Sequence, residues 1–202
     1  MSVTARRMST FEMLYSQLEA LPANMRGQIL EGELVAMTRP FSPHNMASLR
    51  MIQQLTPFDR RSGSSGGPGG WLFQIEPELH FPSIFFEKNV LIPDLAGWKR
   101  TRLPHVPRTG YLELAPDWVC EVLSPGTAGL DRGLKRRIYA EAGVEWLWLV
   151  DPARQSLEIE RWTGTAWDSI LSGAREDQLR APPFEGLTLE LGLLWEDVEG
   201  RG

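Results

Sequence analysis

The sequence predicts an α/β (α+β) domain with a central mixed β-sheet flanked by helices, preceded by an N-terminal helix and hairpin. Three observations lead there. Segments of helical period are interspersed with short strand-like runs bounded by Gly and Pro. Two of those apolar runs each hold one carboxylate, Asp94 in LIPDLAGW and Glu121 in WVCEVL. The length of 202 residues, with 42% hydrophobic and 23% charged residues, suits one globular domain spanning 1–202 with a core of its own.

Residues 9–21 place Phe11, Leu14, Leu18 and Leu21 at helical spacing behind a Ser/Thr start, and Pro22 stops the helix. GQILEGELVAMT reads as a hairpin turning at Glu31-Gly32, with Glu33 opening the return strand. A helix starts near 43–45 with His44 at its opening, carries Met46, Leu49, Ile52 and Leu55, and ends before Pro57. SGSSGGPGG at 62–70 lacks the Lys-Ser/Thr pair of a phosphate loop and reads as a flexible surface loop. Trp71–Phe81 alternates as a strand, with Pro77 placing it at an edge or bend. Strands are expected over Val90–Trp98 and Asp117–Leu123, joined by a basic connector containing Lys99, Arg100, Arg102, His105 and Arg108. A helix over 128–142 stops at Gly143. Glu145–Asp151 is a buried strand, and a hairpin follows through Thr163-Gly164. The tail supplies a last strand and a short closing helix.

Composition narrows the function classes. Cys120 stands alone, which excludes an intramolecular disulfide and a cysteine-based zinc site; in a strand pattern it reads as a small core residue. No apolar run reaches the length of a membrane span and the N-terminus lacks an apolar signal core, so a cytoplasmic protein is expected. A net charge of −5 argues against nonspecific nucleic-acid binding through the whole surface, though not against a local basic patch. Only Lys88, Lys99 and Lys135 are lysines among the 21 basic residues.

The chemistry centres on Asp94 and Glu121. A carboxylate amid Val, Leu, Ile and Trp is costly to bury without compensation. Two such strands close in sequence suggest a shared compensator, and a divalent metal ion is the natural one. Equal parity puts Glu121 with Val119 and Leu123, and Asp94 with Ile92 and Ala96, so pairing of the strands would bring the carboxylates together. Asp131, Lys135 and Tyr139 follow at four-residue spacing and share one helix stripe. A lysine there could orient a water or neutralise charge on a phosphate. The plainer readings are a turn aspartate, a core ion pair and a helix-surface ion pair. The coincidence of two carboxylates in apolar runs favours the functional one. Arg132, Arg136 and Arg137, with the basic loop, either track a nucleic-acid backbone or are solvated charges. His44 could donate to a phosphate, or cap and pack.

EGEL (31–34) with His44, then PD (93–94), PDWVCEVLSP (116–125), D-x-x-x-K-x-x-x-Y (131–139) and AGVEWLWLVDP (142–152) together resemble the Uma2 family. That family is a group of restriction-endonuclease-like proteins within the PD-(D/E)XK nuclease superfamily. The resemblance runs from about Glu31 to the closing LLW. It implies a restriction-endonuclease-like core and cleavage of phosphodiester bonds in DNA with Mg²⁺ (or Mn²⁺). By position Asp94 is the motif aspartate and Glu121 the second acid, both metal-holding, with Glu33 and His44 near the site. The motif lysine position holds Leu123, and Lys135 from the following helix is its expected replacement. A homodimer would provide two sites for a duplex. The competing expectations are a degenerate member that binds nucleic acid or protein, and a hydrolase of small phosphoesters with a narrow pocket.

Overall fold

The computed structural model describes residues 9–38, 42–60 and 67–197, so residues 62–66 of the glycine-rich segment lie outside the described residues. Helix α1 (Thr10–Glu19) begins with a capping box: Ser9 Oγ accepts from the Glu12 amide at 3.1 Å, and Glu12 Oε2 accepts from the Ser9 amide at 2.7 Å. Strands β1 (Met25–Leu30) and β2 (Glu33–Thr38) form the expected hairpin, and α2 (Ser42–Leu55) follows. Next come β3 (Trp71–Ile75), β4 (Leu79–Pro82), β5 (Lys88–Leu91), β6 (Leu95–Lys99) and β7 (Trp118–Val122). A helix built of α3 (Ala128–Leu130), a π turn (Asp131–Lys135) and α4 (Arg136–Ala142) leads to β8 (Trp146–Asp151). The chain closes with β9 (Ser156–Trp162), β10 (Trp167–Ala174), β11 (Gln178–Leu179), β12 (Leu189–Glu190) and a short 3₁₀ turn.

The central sheet is six-stranded and mixed, in the order β10-β9-β8-β7-β6-β3, with β7 and β8 its parallel pair. A four-stranded antiparallel sheet, β2-β1-β5-β4, lies beside it. The alternating residues of β7 and β8 serve two cores. Trp118, Cys120, Val122, Trp148 and Val150 pack against Met51 and Leu55 of α2 and against Phe184 and Leu191 of the tail. Val119, Leu147 and Leu149 pack against Ile138 and Tyr139 of α4 and against Leu30, Leu79 and Leu91 of the smaller sheet. Glu121 has the parity of Val119, so it projects towards α4 rather than α2.

Two single-strand expectations are corrected. The run 71–81 is two strands in different sheets, broken around Pro77, and 90–98 is likewise β5 in the small sheet and β6 in the large one. In the second case the break falls at Ile92-Pro93-Asp94. Pro93 has no amide to give to a ladder, so the chain bends there and changes sheet. Asp94 therefore sits at a seam between sheets and not within a strand. The ladder still does what the parity argument required: Leu95 pairs with Cys120 and Ala96 with Val119, so one step further brings Asp94 level with Glu121. The helix over 128–142 also departs from a uniform α-helix through its π turn, and it ends as expected at Gly143, whose φ of 81° is left-handed.

Candidate active site at the seam of two sheets

Asp94 and Glu121 face one pocket that Arg26, Gln28, His44, Asp131 and Lys135 also line. Asp94 is fixed through Oδ2, which accepts from the Val122 amide at 2.8 Å and lies 3.1 Å from His44 Nε2. Its other oxygen, Oδ1, lies 3.8 Å from the Arg26 guanidinium. Glu121 Oε1 receives two donors, Tyr139 Oη at 2.5 Å and Lys135 Nζ at 2.7 Å. Lys135 Nζ also reaches Asp131 Oδ1 at 2.8 Å. The expected stripe of Asp131, Lys135 and Tyr139 thus converges on Glu121. A π turn widens the helix by one residue per turn, and here it places both Asp131 and Lys135 inward, each 3% exposed.

The cluster is dense in charge and nearly dry. Burial pushes the Glu121 carboxyl up to about 8; Lys135 opposes that rise, while Asp131 and Asp94 add to it. Burial works against the Lys135 charge, but Glu121, Asp131 and Asp94 outweigh it and hold the ammonium above its ordinary range. The Tyr139 phenol is pushed up as well, first by burial and then by Glu121. Three carboxylates, Asp94, Glu121 and Asp131, thus share the pocket with Lys135, Arg26 and His44.

Several residues expected at the site sit elsewhere. Glu33 is exposed at the hairpin turn, opposite Leu30 and outside the pocket lining. Lys99 ends β6, five residues from Asp94, a separation of about 17 Å along a strand. In that region Arg102 pairs with Asp117 at 3.0 Å, Lys99 with Glu145 at 3.5 Å, and Arg100 with Asp59 at 3.3 Å. Arg132 grips Glu158 through two bonds of 2.6 and 2.7 Å, and Arg136 grips Glu160 through two of 2.6 and 3.1 Å. These basic groups are spent on the protein's own acids.

Arg26 and Gln28 received no role from the sequence, although both line the pocket. Gln28 is 4% exposed, and its Oε1 accepts from the Ile92 amide at 3.0 Å, tying β1 to the approach to Asp94. Gln28 lies in MRGQIL beside Arg26 and Gly27, so it did not stand out as a polar residue in an apolar run as Glu121 does in WVCEV.

Residues 13–192 match the Uma2 family, described as "Putative restriction endonuclease". The chain belongs to the Uma2 family. Among curated proteins no sequence matches this Uma2 chain. Among solved structures it resembles a crystal structure described as "a putative nuclease belonging to DUF820" from Anabaena variabilis. The TM-score is 0.70 at 17% identity, covering 94% of this chain and 98% of the other. The fold of this Uma2 protein is thus restriction-endonuclease-like. Among its described residues no helix is long and apolar enough to cross a membrane.

Proposed function

We propose that this Uma2 protein is a divalent-metal-dependent endonuclease that hydrolyses phosphodiester bonds of DNA. The observation that carries the reading is Lys135, held 2.7 Å from Glu121 in a pocket shared with Asp94. A binding module needs only a basic surface and has no use for a lysine buried among carboxylates.

The donor set fits Mg²⁺ or Mn²⁺. Asp94 and Glu121 offer hard oxygens, and the sole cysteine lies in the core on the opposite face of β7. Among the described residues no three His, Cys, Asp or Glu side chains are grouped as a metal cage. Mg²⁺ does not require one, since it is held by one or two carboxylates together with waters and substrate phosphates. Asp94 and Glu121 would hold the ion, which when bound would activate water and stabilise charge on the phosphate. The chain's own groups supply the rest. The Val122 amide fixes the Asp94 carboxylate, Tyr139 and Asp131 hold Glu121 and Lys135 in register, and Lys135 offers its charge where negative charge grows on the phosphate. The proposed setting is cytoplasmic, with a homodimer giving one site per strand of a duplex.

Nicking of supercoiled plasmid tests this, with Mg²⁺ or Mn²⁺ against EDTA and with Asp94→Ala beside wild type. Metal-dependent nicking lost in the variant is the expected result; nicking that persists in the variant would remove Asp94 from the chemistry. One observation favours a second reading, a small phosphoester as substrate: the Asp94 and Glu121 side chains are only 9% and 2% exposed. Hydrolysis of bis(p-nitrophenyl) phosphate by a wild type that leaves plasmid and single strands uncut would select it.

A further inference from the structure

We propose that Thr127, positioned by Ser124, is the hydroxyl that takes a non-bridging oxygen of the substrate phosphodiester at the mouth of this pocket. The inference rests on the endonuclease reading and names the group that receives the substrate. A phosphodiester accepts hydrogen bonds and gives none, so the side chain that receives it must be a donor. Ser124 and Thr127 both line the pocket that holds Asp94, Glu121, Asp131 and Lys135. Their hydroxyl oxygens lie 2.9 Å apart. Each hydroxyl carries one proton, and this contact uses one of the two. The second proton is left to donate, and among the described residues neither hydroxyl has another partner.

Position decides which hydroxyl faces the substrate. Thr127 continues the stripe of Asp131, Lys135 and Tyr139 by one more four-residue step. Exposure falls along it: Thr127 is half-buried, Asp131 and Lys135 are nearly buried, and Tyr139 is fully buried. Thr127 is thus the solvent-side end of the stripe, and Lys135 lies beyond it. Ser124 is the anchor of the pair. Its carbonyl accepts from the amides of Thr127 at 3.1 Å and Ala128 at 2.9 Å, which fixes Thr127 relative to the end of β7. Ser124 Oγ then donates to Thr127 Oγ1, and Thr127 keeps its own proton for the phosphate. The surroundings leave room for one. A Cβ added at Gly126 or at Gly129 would meet nothing within 4 Å, so the backbone on either side of Thr127 borders open space.

The test is fluorescence anisotropy of a 5′-labelled DNA oligonucleotide in EDTA, where metal-dependent cleavage is absent, across a KCl series, beside plasmid nicking with Mg²⁺. Thr127→Val keeps the shape and removes the donor. It is expected to weaken binding about tenfold at every salt concentration, near the lower end for a hydrogen bond to a charged group. Because a hydroxyl displaces no counterion, the slope of log affinity against log salt stays that of wild type. Thr127→Ser restores the hydroxyl and is expected to bind within about twofold of wild type, while Ser124→Ala, which leaves the donor without its anchor, costs about threefold. Wild-type affinity in Thr127→Val overturns the proposal. So does a slope reduced by about one, which marks a lost cationic contact in place of a hydroxyl. Thr127→Ser binding as weakly as Thr127→Val overturns it too, since the threonine would then act through its methyl group. Thr127→Ala decides on the same terms should urea unfolding show that the valine protein does not fold. Wild-type nicking beside an unmoved Thr127→Val affinity removes Thr127 and leaves the endonuclease standing. A wild type that neither binds nor nicks removes both.

Discussion

Replacing Glu121 by Gln tests the buried cluster at its centre. The carboxyl is 2% exposed and accepts Tyr139 at 2.5 Å and Lys135 at 2.7 Å. Burial, against the pull of Lys135, raises it from 4.5 to about 8, so around neutrality the folded protein holds a proton that the unfolded chain has released. The stability this group contributes is fully present below its unfolded value of 4.5 and is lost as pH rises through about 8. At ~1.4 kcal/mol per tenfold change in proton affinity, the full loss is at most about 5 kcal/mol. The attraction of Lys135 is already contained in that value, so about 5 kcal/mol is the upper limit of the expected difference. Glutamine matches the neutral acid in shape and does not titrate. Urea unfolding of both proteins, followed by tryptophan fluorescence from about pH 5 to about pH 9, therefore has a definite expected form. The variant gains on the wild type as pH rises, while plasmid nicking is abolished throughout. A wild-type-minus-variant difference that stays flat across that range would refute the reasoning, because Glu121 would then titrate like an ordinary carboxylate.

Tyr139→Phe removes the shorter of the two donors to Glu121 and leaves a buried acceptor with Lys135 alone. Urea unfolding should show a loss of about 1–2 kcal/mol, with nicking reduced rather than abolished; unchanged stability would mean the phenol is not engaged in solution. Gly143→Ala isolates the helix stop. Nothing lies within 4 Å of an added Cβ, so the cost comes from the φ of 81° alone. It should be about 1 kcal/mol, seen as a lower melting temperature with normal nicking.

Periodicity carried most of the architecture because its causes are local. The α1 capping box, the Glu31-Gly32 turn and the Gly143 stop each depend on a few neighbouring residues. Glu121 stood out because it is a charge inside an apolar strand. The stripe of Asp131, Lys135 and Tyr139 was visible as spacing, although the π turn that aims it was not, since one extra backbone residue leaves no compositional trace. The sheet switch at Asp94 was hidden for a related reason: the run from Val90 to Trp98 is apolar on both sides of the break, and only Pro93 hints that its two halves part company. Arg26 and the surface arginines show the limit of reading charges singly. Whether a basic residue is available to a ligand depends on acids far along the chain, such as Glu158 for Arg132 and Glu76 for Arg26.

The π turn gives the helix two independent registers. Upstream of it the turn at Ser124–Thr127 fixes the start of the helix, and downstream Ile138 and Tyr139 must meet the central sheet. One surplus residue between these anchors lets Asp131 and Lys135 rotate into the pocket without displacing the residues that pack. Loss of a single residue from Arg132–Leu134 would restore an ordinary α-helix with more favourable backbone bonding. It would also turn one half by about 100° relative to the other. The helix would then keep either its grip on the sheet or its lysine in the pocket, but not both.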